Sequence, residues 1–180
     1  MVPLALAAAL AACVPPAPQP TPVPSPAPTP VATATPSPTP TPTPQPSYAD
    51  WLDAPQTPGD WHYVQASGFG VAGFGTDRTE AGTELIISCD LARNRLAIGR
   101  KGRASGAVDM RVTTETQART LSASPHPQRA LVVAELTAND SLLDAIAFSR
   151  GRFMVEVSGQ PTLYVPAWPE ITRVVEDCRR

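Results

Sequence analysis

Sixteen of the chain's 23 prolines lie before Tyr48, and no charged residue occurs before Asp50. A stretch so dense in proline lacks backbone donors and offers few large apolar side chains to bury, so it cannot build a globular core. Every Lys, Arg, Asp and Glu falls in the rest of the chain, residues 48–180, which has the length of one ordinary domain. The formal net charge of −2 excludes a generally basic nucleic-acid binder. No apolar run reaches the roughly 18 residues that a membrane-spanning helix needs.

The first residues, Met1-Val-Pro-Leu-Ala-Leu-Ala-Ala-Ala-Leu-Ala-Ala-Cys13, read as the apolar core of an export signal over residues 1–12. The ending Leu10-Ala11-Ala12-Cys13 resembles the lipobox of bacterial lipoproteins, in which a long or branched apolar residue and two small ones precede the cysteine. The resemblance implies a diacylglyceryl thioether on Cys13, cleavage before it and acylation of the new amino group. No Lys or Arg precedes the apolar run, a departure from the pattern. The partner implied is a membrane, reached through the anchor, in the cell envelope. Val14 is no acidic retention signal, which points to the outer membrane, on its periplasmic or surface face.

From Val14 to Ser47 proline recurs at nearly every second position, so residues 13–47 are expected to be a lipidated cysteine followed by a disordered, proline-rich stalk. Polyproline II at about 3.1 Å per residue would make it a semi-rigid spacer of roughly 100 Å. Beyond Tyr48 the periodicity is that of strands. The segments 61–67, 84–90, 95–98, 108–114, 131–136, 153–157 and 162–165 are bounded by turn residues, and Val108, Met110 and Val112 alternate with polar neighbours. Two short helices interrupt them. One is capped by Asn139 or Asp140, shows the face Leu142, Leu143 and Ile146, and is stopped by Gly151; the other begins at Pro169. The fold expected is a mainly β, antiparallel sandwich-like domain with two short helices, with α+β as the alternative class.

Cys178 falls on the apolar face of the second helix with Ile171, Val174 and Val175, and Cys89 shares a strand face with Leu85 and Ile87. If both faces are core, the thiols meet in a protein bound for an oxidising compartment, so a Cys89–Cys178 disulfide is expected. There is no Cys-x-x-Cys and no Cys-His cluster, so neither a metal nor another cofactor is expected. Gly68-Phe-Gly-Val-Ala-Gly73 formally matches a dinucleotide-binding pattern, but two more glycines follow it in place of a helix, and it reads as a glycine-rich loop between strands.

Charge is distributed in blocks. Residues 48–90 hold seven acids and one base, whereas residues 91–129 hold eight bases and two acids. The turn Gly99-Arg-Lys-Gly-Arg-Ala-Ser-Gly106 could present Arg100, Lys101 and Arg103 to an anionic envelope polymer, or those bases could pair with the acidic segment before them. The two histidines, His62 in a strand and His126 in a turn, have no acidic or cysteine partner at a motif spacing.

The run from Leu131 to Cys178, with Asn139-Asp-Ser-Leu-Leu-Asp-Ala, Phe153-Met-Val-Glu-Val, Gly159, Leu163 and Ile171, resembles the closing half of small periplasmic sandwich proteins of the invasion-associated locus B type. That resemblance implies a compact β-sandwich with an envelope role and supplies no catalytic residue. The function expected is a lipid-anchored envelope protein that binds, or supports, an anionic polymer or another envelope protein, with no nucleic acid involved. The alternative is an envelope hydrolase using His62 or His126 with an acid brought close by folding.

Overall fold

The computed structural model describes residues 50–66 and 68–180, so the segments expected to be an export signal and a stalk, and Cys13 with them, lie outside the described residues. Among the described residues nine strands form one antiparallel sheet in the order β1-β2-β3-β4-β7-β6-β5-β8-β9. They are β1 (Asp60–Ala66), β2 (Phe69–Gly75), β3 (Thr83–Asp90), β4 (Arg95–Lys101), β5 (Val108–Thr113), β6 (Ala118–Pro125), β7 (Leu131–Thr137), β8 (Arg152–Val157) and β9 (Leu163–Pro166). Successive side chains on a strand point to opposite faces. One face of β3 therefore buries Leu85, Ile87 and Cys89, one face of β5 buries Met110 and Val112, and one face of β8 buries Phe153, Val155 and Val157.

The sheet turns its corner at β6. Ala118–Ala123 pair with β5, whereas Ser124 and Pro125 pair with Val133 and Val132 of β7. A strand that changes partners midway folds one sheet into two layers, and the apolar faces of all nine strands then contribute to one core. The sheet's two edges are drawn together. Trp61 Nε1 donates to the Pro166 carbonyl at 2.8 Å, and the Thr57 N–H donates to the Tyr164 carbonyl at 2.9 Å. The segment before β1 thus covers the β9 edge, which would otherwise present open backbone groups.

Helix α1 (Ser141–Ala147) starts at Asp140, whose side chain accepts the Leu142 N–H at 2.9 Å, and it buries the expected Leu142, Leu143 and Ile146. It ends at Phe148, three residues before the Gly151 expected to stop it. Ser149 turns the chain inward there, its hydroxyl donating to the Arg152 carbonyl at 2.6 Å and accepting the Glu115 N–H at 3.2 Å. Helix α2 (Pro169–Cys178) has Pro169 in its first turn and buries Ile171, Val174, Val175 and Cys178 against β1 to β4 and α1. Cys178 is disulfide-bonded to Cys89 of β3, with Cα atoms 5.6 Å apart and both residues fully buried.

The glycine-rich stretch is not a loop. Gly68 makes the turn with φ +81°, but Phe69–Gly75 is strand β2, paired along its length with both β1 and β3. Two of its glycines, Gly70 and Gly75, sit at close approaches. The Tyr63 ring lies over Gly70, where a Cβ would stand 3.3 Å from the phenol oxygen, and a Cβ on Gly75 would collide with the Gly82 carbonyl. The same Tyr63 donates to Asp177 of α2 at 2.5 Å and carries the Arg173 guanidinium 4.0 Å above its ring, so the glycine gap seats a contact between sheet and helix.

Candidate functional site

In a sheet with one face on the core, the residues between the buried ones should be polar. On β2, β3, β4 and β7 several are, among them Ser88, Asp90, Arg95 and Glu135, but an apolar patch interrupts them. Val71, Ile86, Ala97 and Val133 all point away from the core, and with Leu131 they floor a hollow of about 530 Å³ on the outer face. Gly99 keeps the middle of this floor low. A second hollow of about 410 Å³ shares Ile86, Arg129 and Leu131 with the first and extends to Lys101 and Arg103. The two form one trough across four strands.

Its walls are mostly basic. Arg93 and Arg95 stand at one end, Arg129 beside the middle, and Lys101 and Arg103 at the other end. Three of these bases have acidic neighbours: Arg93 with Asp90 at 3.6 Å, Arg129 with Glu80 at 3.2 Å and Lys101 with Glu84 at 2.9 Å. Arg95 and Arg103 have no ionic partner among the described residues, and neither has Glu135, a wall acid beside Ala97's strand. The trough therefore combines an apolar floor with a balanced end, where Arg93 and Arg95 face Asp90 and Glu135, and a basic end at Arg103.

Arg100 does not belong to it. Strand β4 continues through Lys101, so alternation turns Arg100 to the core side, where it is 3% exposed. Its Nη1 donates to Glu84 Oε2 at 2.8 Å and to the Lys101 carbonyl at 2.9 Å, and its Nη2 donates to the Pro161 carbonyl at 3.3 Å. Lys101 donates to the other Glu84 oxygen and to the Ala81 carbonyl. Burial pushes the Glu84 carboxyl up, but the Lys101 hydrogen bond and the charges of Arg100 and Lys101 outweigh it, leaving Glu84 below the ordinary carboxylate range. Two of the three bases expected at this turn are thus engaged by an acid of the preceding segment, and Arg103 stands exposed.

The histidines are far simpler. His62 Nε2 lies 3.2 Å from the Asp77 backbone carbonyl. His126 Nδ1 accepts the Gln128 and Arg129 N–H groups, each at 3.2 Å, which fixes the turn between β6 and β7 and places the ring in the trough wall. Among the described residues no hydrogen bond joins either ring to a carboxylate or hydroxyl, and no group of three or more His, Cys, Asp or Glu could hold a metal. No helix among them is long and apolar enough to cross a membrane.

Sequence reasoning missed the trough, although its signal is present. Leu85-Ile86-Ile87 and Leu131-Val132-Val133-Ala134 are continuous apolar runs, and a strand of that kind is apolar on both faces. Comparison with known protein families, with curated proteins and with solved structures finds no match for the chain.

Proposed function

We propose that the protein is a lipid-anchored component of the cell envelope, held through Cys13 at the outer membrane, and that it works by binding rather than by catalysis. The outer-face trough receives an extended, acidic segment of another envelope protein. The observation that carries this reading is the apolar floor Val71, Ile86, Ala97 and Val133 flanked by Arg95 and Arg103, which have no ionic partner among the described residues. An apolar floor supplies affinity by removing hydrocarbon from water, and the arginines orient and steer an acidic partner. A purely polar anionic polymer would use the arginines and leave the floor wet, so the floor favours a protein segment over a polymer.

The test is a photoreactive amino acid placed at Ala97 in the full-length protein in its native cells. The expected result is a discrete cross-linked protein whose yield falls at least about ten-fold when Arg95→Glu and Arg103→Glu are combined, since each charge reversal sets like charge against the partner. A yield insensitive to both reversals, or cross-links to polysaccharide alone, would refute the proposed partner. Labelling with a fatty-acid analogue, lost in Cys13→Ser, tests the anchor separately.

A further inference from the structure

The long axis of the trough follows β4. Side chains alternate along a strand, so the outward positions of β4 are Arg95, Ala97, Gly99 and Lys101, in order from the Arg93 end to the Arg103 end. The two in the middle are small. Gly99 lies between Ile86 of β3 and Val133 of β7, both branched. Small residues on one strand, between larger ones on its two neighbours, make a furrow parallel to the strands. From Arg95 to Lys101 the furrow runs about 20 Å at the usual strand rise, the length of about six extended residues. Among the described residues nothing requires glycine at position 99. Its φ is not positive, and both of its strand registers run past it without a bulge. A Cβ there would meet Val133, Leu131 and Ile86 at 3.7, 3.8 and 3.9 Å, which is ordinary contact, unlike the close approaches at Gly70 and Gly75. A glycine inside a strand weakens it, and one that neither a bulge nor packing calls for leaves room for a group approaching from outside.

The two ends of the furrow differ in charge. At one, Arg93 and Arg95 face Asp90 and Glu135. At the other, Lys101, Arg103 and Arg129 meet only Glu84 and Glu80, and Glu84 is shared with the buried Arg100. We infer that the partner segment lies lengthwise along β4, with an apolar side chain over Gly99 and its acidic end at Arg103. This placement rests on the trough being the binding site, and it adds a direction, a length and a polarity. An acidic residue beside Arg103 gains an attraction that the balanced end does not offer, which sets the polarity. The apolar side chain over Gly99 removes hydrocarbon from water on both surfaces. A segment crossing the strands at Gly99 would have to climb over Ile86 and Val133 and would leave Arg103 unmatched.

The test places a photoreactive amino acid at Ser88, in the first hollow, or at Gln128, in the basic end, of the full-length protein in its native cells. The cross-linked partner residues are then read by mass spectrometry. Both probes are expected to mark one short stretch, with adducts no more than about six residues apart and the acidic residues on the Gln128 side. With the probe at Ala97, Arg103→Glu should lower the yield about ten-fold and Arg95→Glu only about three-fold, because the second charge belongs to a balanced set. Gly99→Ala should lower the yield at least about five-fold by filling the space over the furrow. Its urea midpoint should not fall, since the new Cβ meets only ordinary contacts within the domain. Adducts in separate stretches, acidic residues on the Ser88 side, equal losses from the two charge reversals, or a yield untouched by Gly99→Ala would each overturn the inference and leave the trough as the site. Absence of a cross-link from all three positions would remove the trough reading, and this placement with it.

Discussion

The two faces of β2, β3, β4 and β7 both carry apolar side chains and treat them differently: the inner face is apolar almost throughout, whereas the outer face surrounds Val71, Ile86, Ala97 and Val133 with Glu84, Ser88, Asp90, Arg95, Lys101 and Glu135. On the inner face Leu85, Ile87, Leu96 and Ile98 are fully buried in the core completed by α2 and the other layer of the sheet, and Cys89 is bonded to that helix. On the outer face Ile86, Ala97 and Val133 are only partly buried, and no element among the described residues lies over the hollow they floor. Apolar composition alone therefore does not decide what becomes core. What decides it is a covering layer, and here the other half of the folded sheet and the disulfide-pinned helix α2 together cover the inner side.

The largest effect should come from loosening that cover. The Cys89–Cys178 bridge closes a loop of 89 residues, and removing it should cost about 2–5 kcal/mol. Cys89→Ala and Cys178→Ala delete the same bond, so the double variant should lose little more than either single one in urea denaturation. Fully additive losses would show that each cysteine stabilises by packing alone.

Truncation on the two faces sharpens the comparison next. Ile87→Ala should cost about 2–5 kcal/mol, since it leaves a cavity under α2. Ile86→Ala, on the neighbouring residue of the same strand, should cost about 1 kcal/mol or less, because water already reaches its site. Equal losses in chemical denaturation would mean that the outer face is packed like the inner one.

A smaller effect, with a defined pH dependence, is expected at the end of the strands, where Glu84 holds the buried Arg100. Glu84 is lowered in the folded state relative to its ordinary value of about 4.3. Its contribution to stability is therefore fully present above that value and is lost as pH falls through the lower folded value. The urea midpoint should drop on acidification below about pH 4.3, and Glu84→Gln should be destabilised at neutral pH and lose part of that acid dependence. An unchanged acid profile in Glu84→Gln would assign it to other carboxyls.

Much of this architecture was legible in the sequence. Val108, Met110 and Val112 alternate and form β5; Asp140 caps α1; the helical phase of Ile171, Val174, Val175 and Cys178 points one face, and one thiol, at the sheet. What was not legible depended on partners distant in sequence. β2 reads as a loop because Gly70 and Gly75 are explained only by Tyr63 and Gly82, which approach it from outside the strand. β6 alternates in burial, but the positions turned inward are Arg119, Leu121 and Ala123, so the apolar pattern that would announce it is weak. Arg100 reads as an exposed turn base, yet one more strand residue turns it inward onto Glu84. The trough is a property of four strands in register, and each strand alone shows only a short apolar run whose second face has no stated use.

The central claim is that the outer face stays open for a partner, and Ala97→Arg tests it most directly, because it fills the trough floor without touching the core. The measurement is the yield of partner cross-linked to a photoreactive residue at Val133, beside Ala97 on the same face. The expected result is loss of the cross-link in a domain that still melts within about 0.5 kcal/mol of the parent, as for a surface substitution. An undiminished cross-link in Ala97→Arg would contradict the claim, and so would a domain that the substitution unfolds.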